Sequence, residues 1–250
     1  MLIGVQNAPP FAISSLPLVN MIAIYILSAL SVVLGTLSGY FNLRKNPTRR
    51  IFTKGLASLF FLAVALISLY ISGATLYSVL VLGALILGTI GDLYLCLNEN
   101  IALKEKTSNL FLIGGACFFG GHVLFSTVYL VCVPFELYLI PCIFIIPILL
   151  GIALAIMKNK IALGKMVPFA FAYGVILNLM LVVTINAFIH NADNAFGTLS
   201  LVAGILFVIS DVSLLFKEFS PLKGKPVLIY VVLVTYYVAQ CLFACSILTY

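Results

Sequence analysis

Two aspartates, Asp92 and Asp211, sit inside long apolar stretches of this sequence, and chemistry can be built around them. An ionised side chain in hydrocarbon costs roughly 2.5–3.5 kcal/mol on insertion scales, so it persists where it faces a cavity or a partner. The other acids, Glu99, Glu105, Glu136, Asp193 and Glu218, fall at the ends of apolar runs or between them. Asp92 lies five residues before Leu97 and Asp211 five before Phe216, which puts each about 7.5 Å from the end of its run by helical rise. Equal depth on two helices of equal orientation lets both carboxyls face one pocket. Two carboxyl groups in a shared low-dielectric site can divide their roles, one as proton donor and one as anion. Interhelical hydrogen bonding is the plainer use of such residues; the match in depth favours a site.

Other polar groups lie deep in apolar runs. His122, Asn178 and Gln240 fall near the middle of theirs, and Tyr236 and Tyr237 precede Gln240 by one turn, on a shared helical face. His122 is a candidate catalytic group, with a packing histidine equally compatible. Asn178 and Gln240 suit helix–helix hydrogen bonds or a pocket wall, and Tyr173 suits a lining role. Lys54 and Lys217 stand at the ends of runs, where they can meet a lipid phosphate or snorkel to the interface. No P-loop, GxSxG elbow, HExxH or GxGxxG motif is present. The six cysteines lie in or beside apolar runs without zinc-ligand spacing, and there are only two histidines, so neither a metal nor a cofactor is expected.

The elements that must position these residues follow from composition. Of 250 residues, 64% are hydrophobic and 8% charged, with a mean hydropathy of +1.26. A soluble domain carries roughly 25% charged residues, so the solvent of this chain is lipid. The net charge of +6 fits loops facing headgroups, and no basic face with interleaved aromatics points to nucleic acid. Apolar runs of roughly 20 residues predict an all-α, polytopic bundle with spans over 18–40, 52–71, 75–97, 108–131, 137–157, 166–188, 196–216 and 226–249. These form a single eight-helix domain over 18–250, after a short extracytoplasmic lead-in at 1–17 with no basic n-region for a cleavable signal. All 13 Lys and Arg fall in or beside four alternating loops, at 44–54, 104–106, 158–165 and 217–225. The positive-inside rule makes those loops cytoplasmic and both termini non-cytoplasmic. Eight spans satisfy that alternation and seven break it. A bacterial inner membrane or an endoplasmic reticulum membrane would impose the same pattern, and a homodimer is compatible with it.

A parallel 4+4 repeat is visible. Ile86 to Leu95 and Ile205 to Leu214 share Ile, Leu, Ile, Asp and Leu at matching positions, and Gly121 to Phe125 resembles Ala239 to Phe243. His122 follows Asp92 by 30 residues and Gln240 follows Asp211 by 29.

Gly91-Asp92, Gly120-Gly121-His122 with Tyr129, Ser210-Asp211, and Tyr236-Tyr237 with Ala239-Gln240 occur in an order and spacing that resemble the YhhN family, which includes the TMEM86 lysoplasmalogenases. The resemblance covers the chain from the third span onward. It implies an eight-span membrane enzyme that hydrolyses the vinyl ether of a lysoplasmalogen to a fatty aldehyde and glycerophosphoethanolamine or glycerophosphocholine. Asp92 and Asp211 would be its acidic positions, with His122 and Gln240 as pocket partners. The chemistry suits the residues: protonation of the vinyl β-carbon gives an oxocarbenium ion, as in glycoside hydrolysis with two carboxylates. The lysophospholipid headgroup is expected near Lys54, Lys217 or Asn42, with its chain among the helices and membrane lipids around.

Two other uses of the aspartates compete. A proton-coupled transporter also draws on paired intramembrane acids and a repeat; Pro147 and the Gly114-Gly115 and Gly120-Gly121 pairs loosen two spans. An intramembrane aspartyl protease needs Gly-x-Gly-Asp, and the window Thr89-Ile90-Gly91-Asp92 lacks the first glycine. A purely structural or receptor-like protein is the weakest fit, since no long cytoplasmic loop or effector domain is present.

Overall fold

The computed structural model of the chain describes residues 18–101, 109–156, 163 and 166–250, and among these there is no strand. The expected lead-in at 1–17 and the basic residues Lys104, Lys106, Lys158, Lys160 and Lys165 lie outside the described residues. Eight α-helices follow one another: α1 (Leu18–Leu43), α2 (Pro47–Ser72), α3 (Leu76–Ile101), α4 (Leu110–Cys132), α5 (Ile145–Ile156), α6 (Val167–His190), α7 (Ala195–Phe219) and α8 (Pro226–Thr249). All but α5 are long and apolar enough to cross a membrane. The chain is a multi-pass membrane protein.

Local chemistry sets several boundaries. The Asn46 side chain accepts the Arg49 N–H at 3.2 Å and Pro47 opens α2, a standard N-terminal pairing. Gly73, at φ 84 and ψ 165, takes a positive φ that glycine adopts without strain and ends the same helix. Asn194 caps α7 through the Gly197 N–H at 3.2 Å.

The fifth crossing departs from the expected plain helix over 137–157. It begins as a 3₁₀ segment, Leu137–Phe144, and only then becomes α5. Pro141 and Pro147 explain the change, since neither can donate the hydrogen bond a continuous α-helix needs. The tighter first half rises further per residue, so the two pieces together reach about 34 Å, enough for the hydrocarbon core. The Asn178 amide of α6 donates to the Cys142 carbonyl beside the junction. Asn186 holds the entrance, donating to Pro134 O at 2.8 Å and accepting from Glu136 N at 3.0 Å.

Successive crossings run antiparallel. The described basic residues Arg44, Lys45, Arg49, Arg50, Lys54, Lys217, Lys223 and Lys225 gather at one end of the bundle, as the alternation required. At the other end Tyr77, Tyr129, Ser200 and Ser246 form a buried chain of hydroxyls at 2.7–2.9 Å, and Tyr250 stacks on Tyr77.

The repeat is also spatial. Lys54, Tyr77 and Asp92 have Tyr173, Phe196 and Asp211 as counterparts, each 119 positions later. α2 packs on α3 and α8 as α6 packs on α7 and α4. Tyr77 and Phe196 meet edge to face with ring centroids 5.3 Å apart.

Small residues bring the helices close where the site will lie. A Cβ at Gly91 would stand 3.1 Å from the Gly114 carbonyl, so α3 and α4 touch backbone to backbone. A Cβ at Gly35 of α1 would collide with the Tyr237 ring of α8. Gly35→Ala is therefore expected to cost about 1–3 kcal/mol through overpacking, read as a lower thermal midpoint in detergent; an unchanged midpoint would show that Tyr237 can swing aside freely.

Candidate active site

Asp92 points from α3 into the bundle near the basic end and is 3% exposed. Its Oδ1 receives Lys54 Nζ at 2.9 Å, and its Oδ2 receives the Ser58 hydroxyl at 2.9 Å and the Tyr237 hydroxyl at 3.4 Å. Lys54 and Ser58 are one turn apart on α2, so a single helical face presents both donors. The set complements a carboxylate anion, with one fixed cation and two hydroxyls converging on it.

Asp211 of α7 has a different environment. Tyr173 donates its hydroxyl to Oδ2 at 2.6 Å, and His122 Nε2 lies 3.0 Å from the same oxygen. The other ring nitrogen, Nδ1, meets the Met180 thioether at 3.2 Å. A thioether accepts and cannot donate, so Nδ1 carries the hydrogen. His122 can then exchange a proton only through Nε2, with Asp211 or with Tyr173, 3.0 Å away. Phe207 braces the ring edge-on at 4.7 Å. Asp211 Oδ1 has no hydrogen-bond partner among the described residues.

The two acids line one cleft of about 520 Å³ that opens among α1, α2, α7 and α8. Asn42, Lys54, Lys217 and Tyr236, all expected at a site, line it too. Phe118 and Leu95 form its inner wall. Asp211 also lines two apolar grooves, of about 590 Å³ between α4, α6 and α7 and about 840 Å³ between α5, α6 and α7. It is thus the place where a cleft lined by charged groups of both signs meets hydrocarbon-lined space. Gln240 stands behind the wall, donating to the Tyr236 hydroxyl at 2.9 Å, and Tyr237 stands behind Asp92. Asn178 is not brought to the cleft; its amide is spent on the fifth crossing.

A model of the YhhN family matches residues 49–247. The chain belongs to the YhhN family. Among curated proteins and among solved structures, nothing matches it. The YhhN match starts at the first turn of α2, so it takes in both acids, Lys54, His122 and Tyr173, while Asn42 comes from α1, outside it.

Three YhhN site residues escaped the sequence reading. Arg50, expected to serve only orientation and headgroup contact, is 7% exposed and lines the cleft. Ser58 touches Asp92, and Met180 fixes the His122 ring. A signal for the first two exists: Arg50, Lys54 and Ser58 recur at every fourth position on α2, a polar stripe on an apolar helix.

Proposed function

We propose that this YhhN protein is a lysoplasmalogenase, hydrolysing the vinyl ether of a single-chain alkenyl glycerophospholipid to a fatty aldehyde and a glycerophospho-alcohol. The observation that carries the reading is the position of Asp211 on both the charge-lined cleft and the apolar grooves. In such a lipid the vinyl ether lies at the junction of a phosphoglycerol headgroup and a hydrocarbon chain. Arg50 and Lys217 line the cleft beside the Lys54–Asp92 pair, where the phosphodiester would lie, and Lys217 also meets Glu218 at 2.7 Å.

The unequal surroundings of the acids assign their roles. Asp211 is the proton donor, because His122 can return a proton to it. Protonation of the β-carbon breaks the carbon–carbon π bond and leaves an oxocarbenium ion at the α-carbon and ether oxygen. Asp92, an anion oriented by Lys54, Ser58 and Tyr237, stabilises that charge and directs water to the α-carbon. The water's released proton restores the acid. The hemiacetal then collapses, the ether oxygen leaving as the alcohol and the carbon as the aldehyde. The transporter alternative gains no support from the far end of the bundle, where the tyrosine and serine hydroxyls close the space between α3, α4, α7 and α8.

Detergent-purified protein incubated with a 1-alkenyl lysophospholipid is expected to release fatty aldehyde detectable by mass spectrometry, and Asp211→Asn protein is not. Folded wild-type protein that releases none would overturn the hydrolase reading, and uptake driven by a proton gradient would then be measured.

A further inference from the structure

We infer that the groove between α5 and α7, floored by α6, seats the hydrocarbon chain of the substrate, which slides in sideways from the bilayer. The inference rests on the hydrolase reading for the identity of its occupant. It does not rest on it for the groove itself.

The groove exists because of how the fifth crossing is built. The 3₁₀ segment and α5 pack against α6 and against each other. They are fixed there by Asn178 and Asn186 rather than by packing on α7. A gap of about 840 Å³ is left, with Leu149 and Ala153 on one wall, Val212 and Leu215 on the other, and Gly174 and Leu177 on the floor. Apart from Tyr173 and Asp211 its lining is hydrocarbon. Gly174 lies where α6 meets α5: a methyl there would stand 3.9 Å from Leu150 and Pro147. Leu149 at the rim is 59% exposed, so the gap opens toward lipid.

Direction decides between this groove and the others. On α6 the floor runs from Ala170 and Tyr173, at the level of the acid, to Leu177, about one turn nearer the middle of the helix. A chain whose headgroup lies in the cleft at the basic end must point that way. The groove between α4, α6 and α7 also touches Asp211, but Phe111, Met166 and Phe219 place it toward the basic end, at headgroup height. A larger groove of about 1230 Å³ between α1 and α8 lies in the other half of the bundle and shares no residue with the cleft. Of these grooves, the one between α5 and α7 joins the acid to the depth of the bilayer where a chain resides.

The test reads binding apart from turnover. Full-length protein in phosphatidylcholine nanodiscs is irradiated with a saturated 1-acyl lysophosphatidylcholine carrying a diazirine in the first third of its chain, and labelled peptides are mapped by mass spectrometry. Labels are expected on residues 145–156 and 170–177, competed by unlabelled lysophosphatidylcholine and reduced several-fold in Ala153→Trp, whose indole fills the groove from the α5 wall. Leu149→Trp, at an exposed position that tolerates bulk, is expected to give the same reduction in protein with a wild-type thermal midpoint. Labels concentrated on α1 and α8, labels unchanged by both variants, or no competed labels at all would overturn the inference. Aldehyde release is measured on the same samples. Release with labels elsewhere sinks the groove and leaves the hydrolase standing; groove labels without release sink the hydrolase and leave a single-chain lipid site.

Discussion

Asp211→Asn is expected to lower fatty-aldehyde release by about 10²–10⁴-fold, the usual worth of a positioned general acid, with little change in thermal midpoint. The substitution keeps the shape of the side chain. Tyr173 and His122 Nε2 both face the same position, and an amide nitrogen placed there can donate one hydrogen to His122 Nε2 and the other to the Tyr173 oxygen, so both contacts survive with the Tyr173 bond reversed. What it removes is a proton that can be given to carbon. His122→Ala is expected to lower turnover less, because Asp211 would still bind a proton from water in the cleft while losing its internal source. The Asp92→Asn protein should differ from both: it loses activity and stability together, since Lys54 is left buried without its anion. Turnover of all three, measured beside their melting midpoints, separates donor, relay and oriented anion. Wild-type turnover by Asp211→Asn would sink the assignment of the acid.

Much of this site is legible in the sequence because charge in an apolar run is costly. Asp92 and Asp211 stand out on that ground alone, and their equal distance from the ends of their runs foretells the shared cleft. The helical bundle is legible for the same reason, and the alternation of basic loops gives its parity. The fifth crossing was harder, because an apolar run of sufficient length looks helical although Pro141 and Pro147 make its first half a tighter coil.

The pairing of partners was not legible. Sequence spacing links His122 to Asp92 and Gln240 to Asp211. In space each acid is served by the fourth helix of the other half: His122 of α4 reaches Asp211, and Tyr237 of α8 reaches Asp92. The halves interlock, and linear distance cannot reveal that. Lys54 and Tyr173 occupy matching positions and each bonds the acid of its own half, yet the residue types differ, so no comparison of letters finds them. That difference is the functional one, since the first makes its acid a fixed anion and the second leaves its acid free to trade protons with His122. Ser58 is marked only by its place in the stripe with Arg50 and Lys54, because a serine in a membrane helix usually satisfies itself on its own backbone.

Lys54→Met should be among the most destabilising single changes in the protein. Lys54 and Asp92 are 8% and 4% exposed at their side chains and 2.9 Å apart. Removing one partner of such a pair strands the other charge in low dielectric, at a cost of about 3–5 kcal/mol. For a chain of this size that corresponds to a fall of roughly 6–20 °C in the melting midpoint. The double variant Lys54→Met/Asp92→Asn removes both charges at once. It keeps a side chain that can accept from Ser58 and Tyr237, and it is expected to recover most of the lost stability. Aldehyde release should stay absent in the double variant. Stability would then follow the balance of the pair, and turnover would follow the anion itself. If Lys54→Met melts like the wild type, Asp92 does not depend on Lys54 for its charge compensation, and the account of Asp92 as an anion fixed by Lys54 fails. If the double variant regains turnover along with stability, Asp92 serves only to hold α2 against α3, and the oxocarbenium ion must draw its stabilising charge from Asp211 alone.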